Sequence, residues 1–239
     1  MLDGKYSLPT RWVCSAGLCL MMIAAAGCVE STGVLDANGA GARATTRPVF
    51  EEGKFFPIFD GKTLANWKVV KFGGEGKVWV KDGLLHVGMG EGCTGLTWKG
   101  PILREDYELS LEAKRVDGSD FFCGLTFPVG KEPVSLVLGG WGGDLVGLSC
   151  VDGYDASENS STCVMAFKEN RWYDIRVKVV SDRIVCFVDD KEIVNIEREG
   201  RKFSVRWEVE QSVPLGIATF KTHGAMRNIR LRKLIDAEK

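Results

Sequence analysis

Two histidines in 239 residues are too few to build a multi-histidine metal cage. The chain has neither a Gly-x-Ser-x-Gly elbow nor a His-Glu-x-x-His pair, so neither of the corresponding serine-hydrolase and zinc-protease arrangements is present. No Cys-x-x-Cys occurs, which removes the usual zinc and iron–sulfur spacings. The formal net charge is -1, and without a basic excess there is no electrostatic footprint for nucleic acid. The uncharged run from Trp12 to Ala26 stops short of the ~20 residues that a membrane-spanning helix needs.

That run follows Lys5 and Arg11 and closes on small residues, "AAGC", with Cys28 last and Val29 next. It has the layout of a secretory signal. Its end resembles a bacterial lipoprotein signal, which implies cleavage after residue 27, lipidation of Cys28 and a membrane anchor. An ordinary signal peptide cut nearby, giving a secreted protein, is the other reading. Export is expected either way. Val29 carries no inner-membrane retention signal, so the lipoprotein reading points to the outer membrane facing the periplasm. Residues 28–49 are rich in Gly, Ala, Thr and Ser and cannot bury enough surface to offset the entropy of ordering them. They read as a flexible tether.

From residue 50 onward the dominant pattern is strand periodicity. "DYELSLEAKRV" alternates Tyr107, Leu109, Leu111 and Ala113 against Glu108, Ser110, Glu112 and Lys114. "WYDIRVKVV" does the same with Tyr173, Ile175, Val177 and Val179 inward. "VWVKDGLLHVGM" and "IVCFVDDKEIVNI" each place turn residues between two apolar runs, a hairpin signal. About a dozen short strands and no helix of three turns are expected, without the internal repeat of a propeller. The fold class is therefore all-β, an antiparallel sandwich or barrel spanning residues 50–236. Cys93, Cys123, Cys150, Cys163 and Cys186 lie in it, an odd set at irregular spacing that allows at most two disulfides. Cys123 and Cys186 sit in apolar runs and read as small buried hydrophobes.

The stretch "FPIFDGKTLANWKV" resembles the opening of the 3-keto-disaccharide hydrolase domain, once classed only as a domain of unknown function. "WVKDGLLHV", "REDYELSLEAKR" and "GIATFKTHGAMRNIRLRKL" resemble later segments of that family, in order. The resemblance implies a concanavalin A-like jelly roll and cleavage of glycosidic bonds in sugars oxidised at carbon 3. Trp67 is expected in the core. The middle of the chain departs from the pattern. Where the family carries an arginine and a Tyr-Glu-x-Gln strand, this chain reads "GSDFFCGLTFPVG" and "PVSLVLGGWGGDLVGLSCVDG".

Four groups are candidates for chemistry. "DGYDASENSS" gathers Asp152, Asp155, Glu158 and Asn159; converging, they would hold a divalent cation or sugar hydroxyls. Otherwise they form a turn capping its own backbone. Trp141 in "GGWGGD" suits stacking on a sugar ring, or a tight bend with a buried indole. Asp120 in "GSDFF" reads as a base or as a turn cap. His223 precedes Gly224 near Arg227 and reads as a site residue or a structural one; His86 lies within an alternating strand and reads as structural. Glu108 and Glu112 share a strand face, but four residues span ~13 Å. That exceeds the ~5–9.5 Å of paired glycosidase carboxylates.

A ketone at C3 acidifies the C2 hydrogen, so cleavage needs one base and a group that stabilises an enolate. Asp120 or Glu158 is expected as the base, with Arg176, Arg206 or a bound cation on the enolate. The alternatives are a non-catalytic carbohydrate-binding lipoprotein and an envelope structural protein without a ligand. A face gathering carboxylates beside aromatics favours the enzyme; aromatics alone favour the binding module.

Overall fold

The computed structural model describes residues 50–239. The signal, Cys28 and the tether lie outside the described residues. Fifteen strands follow in chain order: β1 (Phe55–Pro57), β2 (Trp67–Val69), β3 (Val78–Lys81), β4 (Leu84–Val87), β5 (Cys93–Trp98), β6 (Tyr107–Gly118), β7 (Cys123–Val129) and β8 (Glu132–Gly140). Then come β9 (Leu145–Ser149), β10 (Cys163–Val164), β11 (Tyr173–Val179), β12 (Arg183–Val188), β13 (Lys191–Glu197), β14 (Gly216–Phe220) and β15 (Thr222–Lys233). The helical pieces are two short 3-10 segments, Trp207–Ser212 and Asp236–Glu238.

The strands pair antiparallel into two sheets. The first runs β13-β12-β11-β6-β15-β4-β3, with β1 also on β15, and the second runs β10-β9-β8-β7-β14-β5-β2. This is the expected jelly-roll sandwich. Period-two alternation turns one row of every strand towards the facing sheet. Leu109, Leu111, Ala113, Ile175 and Val177 from the first sheet meet Leu96, Leu125, Leu136, Leu138 and Leu148 from the second, all fully buried. Burying each such leucine contributes about 1.5–3 kcal/mol, so truncating Leu136 to alanine would cost about 2–5 kcal/mol.

The hairpins form as expected. Asp82 and Gly83 join β3 to β4, and Asp189 and Asp190 join β12 to β13, each pair at positive φ as a type I′ turn requires. The opening "FDGKT" is a cap: Asp60 accepts bonds from the Lys62 and Thr63 amides and the Thr63 hydroxyl. Those donors lower its pKa to about 2. Trp67 is buried against Trp98 and donates its indole N–H to the Ile58 carbonyl at 2.7 Å.

One detail differs from the sequence reading, and one fits it. Glu108 and Ser110, on the polar side of β6, are buried, because Arg232 on β15 reaches across to Glu108 at 2.8 Å and is itself held by Glu238. All five cysteines of the domain are free thiols, four of them buried.

Candidate functional site

The outer face of the second sheet carries two rows of small residues. Gly95 pairs with Ala218, Ala218 with Gly124, Gly124 with Val137 and Val137 with Gly147. The adjacent row runs Thr97, Gly216, Thr126, Ser135 and Ser149. With so little side chain standing up, the face is hollow. A cavity of about 270 Å³ opens there, with Ser135, Val137, Ser149 and Gly124 on its floor. Its walls are Phe121 and Phe220, stacked with centroids 5.9 Å apart, together with Trp141, Val209, Cys93, Asp120, Arg206 and Glu208.

Three residues expected from sequence, Asp120, Trp141 and Arg206, therefore meet on one cavity. Asp120 sits between β6 and β7, where its Oδ1 accepts the Phe121 amide at 2.7 Å. Its own amide donates to the Thr222 hydroxyl. No ion pair engages its carboxylate among the described residues. Trp141 stands at φ 48° in the β8–β9 turn, between Gly139 and Gly143 at φ 75° and 118°, and its indole is 43% exposed. The expectation of a stacking aromatic carried on glycines fits this geometry, and a buried bend does not.

The two loops touch directly, the Gly142 amide donating to Asp120 Oδ2 at 3.4 Å, and both are also bound by one side chain that the sequence reading did not single out. Arg115, on β6, is 6% exposed and has no carboxylate partner among the described residues. Its Nη2 donates to the carbonyls of Gly143 at 2.8 Å, Asp120 at 3.2 Å and Gly139 at 3.4 Å. Burial lowers its pKa. A signal was available, since residue 115 continues the inward parity of Tyr107, Leu109, Leu111 and Ala113. An arginine in that row must find internal acceptors.

Arg206 binds Glu208 through two bonds, Nη2 to Oε1 at 2.6 Å and Nε to Oε2 at 3.2 Å, and Asp155 through Nη1 at 2.7 Å. Hydrogen bonding to Arg206 lowers the Glu208 pKa, and the same bond raises that of Arg206. Three of the five guanidinium N–H groups are used, which leaves two for a ligand. Burial, reinforced by the nearby Glu208 and Asp120 carboxylates, pushes the Cys93 thiol up to about 11. Cys93 is thus a protonated wall group at neutral pH, not a nucleophile.

The "DGYDASENSS" loop does not gather its carboxylates. Asp152 faces Arg201 at 2.7 Å and Asp155 faces Arg206, while Glu158 is exposed with no side-chain partner among the described residues. Burial opposes ionisation of Asp155, but bonds from the Ser157 amide and hydroxyl and from Arg206 outweigh it and lower its pKa. Asn159 is a loop clasp, donating to the Leu148, Tyr154 and Asp155 carbonyls and accepting from Ser161. Among the described residues no three His, Cys, Asp or Glu side chains lie close enough together to hold a metal ion.

Arg176 and His223 belong to the other sheet. Arg176, on β11, pairs with Asp190 at 2.8 Å and covers the Phe187 ring. His223, on β15, lies 3.1 Å from His86 between ring nitrogens, and His86 stacks on Trp79 with centroids 4.8 Å apart and planes 4° apart. Burial lowers both imidazole pKa values, so the pair is neutral at pH 7. Neither Arg176 nor His223 lines the cavity, because each stands on a strand of the sheet opposite it.

No curated protein matches the chain in sequence. Among solved structures it is similar to one reported with endo-acting O-glycanases of prominent members of the human gut microbiota. That pair is 12% identical, covers 77% of this chain and 100% of the other, and has a TM-score of 0.52. It is also similar to the metal-free Emp46p carbohydrate recognition domain, at 16% identity over 78% of this chain and 99% of that one, with a TM-score of 0.50. At these identities the likeness is one of fold. The 3-keto-alpha-glucoside-1,2-lyase-like domain model matches residues 54–232, nearly the whole sandwich and every wall of the cavity. The chain therefore belongs to that family, and its function is carbohydrate-related.

Proposed function

We propose that the cavity on the second sheet binds a 3-keto-glycoside and cleaves its glycosidic bond, with Asp120 as the base. Asp120 takes the C2 proton; the C2–H electrons form the C1=C2 bond as the C1–O bond breaks and the aglycone leaves. Arg206 directs its two spare N–H groups at the charge developing on the C3 oxygen, where fixed donors act most strongly. Water then adds its hydroxyl at C1, Asp120 returns its proton to C2, the water's other proton goes to the aglycone oxygen, and the net result is hydrolysis. The carrying observation is that Asp120 is the one carboxylate on the cavity wall with no cation bound to it, Glu208 being held by Arg206.

The test is product release from a 3-keto-disaccharide, with and without a chelator. Asp120→Asn should lose at least 100-fold in rate, the usual scale for removing a general base. Folding should be retained, because the amide oxygen still caps Phe121. Undiminished turnover by Asp120→Asn would remove Asp120 as the base.

A second reading, binding without turnover, is favoured by the floor. Ser135, Val137, Ser149 and Gly124 offer no charged group on strands whose family counterparts carry glutamate and glutamine. Tight sugar binding with no product release would select it.

A further inference from the structure

The residues lining the cavity account for one side of the 3-10 segment Trp207–Ser212 and leave the other unexplained. In a 3-10 helix side chains three apart eclipse, so residues 207, 210 and 213 form one ridge and 206 and 209 another. Arg206 and Val209, with Glu208, wall the cavity. Trp207, Glu210 and Val213 line a separate open groove of about 590 Å³, completed by Pro133, Ser204 and Val205. Trp207 is the most exposed large hydrophobic side chain among the described residues, at 80%. A single exposed indole is not unusual on a protein surface, but this one lines a groove next to the cavity, where its apolar face is open to a ligand.

The groove and the cavity lie along the same face of one strand. Pro133, Ser135 and Val137 are successive outward residues of β8, the first in the groove and the other two on the cavity floor. From Pro133 to Val137 is four residues, or ~13 Å at ~3.3 Å per residue. The two depressions thus share a floor strand and the 206–210 wall, with Trp141 exposed at one end and Trp207 at the other.

We infer that Trp207 and its groove form a second subsite that holds the leaving sugar of a glycoside whose oxidised ring occupies the cavity. The occupant is a neutral, hydroxyl-rich ring. Its apolar face stacks on the indole, and its hydroxyls meet the Glu210 carboxylate and the Ser204 hydroxyl, both exposed and outside every ion pair among the described residues. This inference rests on the reading of the cavity as the binding place of the oxidised ring.

The test compares 3-keto-trehalose with 3-keto-glucose by calorimetric titration of the untagged chain in an Asp120→Asn background, which stops cleavage. Adding Trp207→Ala should weaken the disaccharide about fivefold and leave the monosaccharide unchanged, the scale of one lost aromatic contact. Trp207→Phe should restore most of the difference. Trp207 is exposed, so an unchanged melting temperature is expected. Equal weakening of both sugars, or of neither, overturns the subsite while leaving the cavity in place. Binding of neither sugar by the Asp120→Asn parent overturns the reading of the cavity, and the subsite with it.

Discussion

Replacing Arg115 separates placement of the site from stability of the fold. Its guanidinium joins the turn that carries Asp120 to the turn that carries Trp141 through three backbone carbonyls. Bonds from a charged donor contribute about 1.5–3 kcal/mol each, and only the 2.8 Å and 3.2 Å contacts have good length. Against them stands the cost of holding a guanidinium out of water with no counter-ion, several kcal/mol. The two nearly cancel. Arg115→Met keeps an apolar stem near Phe122, whose ring lies 5.5 Å from the guanidinium. We expect it to lose about 1–2 kcal/mol, roughly 2–8 °C of melting temperature for a domain of this size. Turnover is more sensitive, because a 1 Å misplacement of catalytic groups can cost ~100-fold. kcat/KM on a 3-keto-disaccharide should therefore fall at least tenfold in a variant that stays folded below its melting point. Arg115→Lys, which reaches one carbonyl at a time, should recover part of it. Urea unfolding and steady-state kinetics on the same preparations give both numbers. Lowered stability with unchanged kcat/KM would mean that the two turns hold their places without the guanidinium, and the reasoning would fail.

Three further outcomes follow from the charges. His86 and His223 have folded-state pKa values below the ordinary 6.5, so the unfolded chain binds more protons in the window beneath it, and stability falls as pH drops below about 6.5. Chemical unfolding at pH 7 and pH 5.5 should show this loss in the native sequence and a smaller one in His223→Asn; equal slopes would discard the assignment. Asp155→Asn should lower stability by about 1 kcal/mol, because Asp155 is held by the Ser157 amide and hydroxyl and by Arg206. Glu158→Gln should change neither melting temperature nor turnover, and a rise in stability for Asp155→Asn would contradict its role as a capped, ion-paired turn residue.

How much of this was legible in the sequence depends on how locally each feature is encoded. The β6 and β11 faces are written in strict alternation, and the two Asp-containing hairpins in their turn residues, so fold class follows from neighbours along the chain. Asp120 and Trp141 were visible because each is chemically out of place in its own segment. An acid stands at the edge of an apolar strand, and an indole stands among glycines. Glu208, Trp207 and the 207–212 segment were not visible. "RWEVEQS" has neither helix nor strand periodicity that would mark it as a wall. The "DGYDASENSS" loop misled for the opposite reason: three acids close in sequence look like a site until their partners Arg201 and Arg206, about 50 residues later, are placed against them.

The cavity itself shows why a site of this kind resists reading. Its floor is opened by residues with little or no side chain, Gly124, Ser135 and Ser149, each on a different strand and each unremarkable alone. Glycine inside a strand is unfavourable on local grounds, since it weakens packing and adds entropy to the unfolded chain. Local reasoning therefore scores these positions as defects or bulges. Only the register, with Gly124 beside Val137 in one row and Ser135 beside Ser149 in the next, brings these positions into one hollow. A Cβ added at Gly95 would meet the Ile217 carbonyl oxygen at 2.4 Å, and one at Gly124 would meet the Phe121 ring at 3.0 Å. Gly95 thus allows β5 to lie close against β14, and Gly124 allows the Phe121 wall to close over the floor. Ser135 and Val137 leave the strand face without a charged group, while Asp120, Arg206 and Trp141 come from the loops at its rim. Groups carried on the rim can change without disturbing the sandwich, because a rim loop is anchored by a few bonds such as those of Arg115 and not by the core.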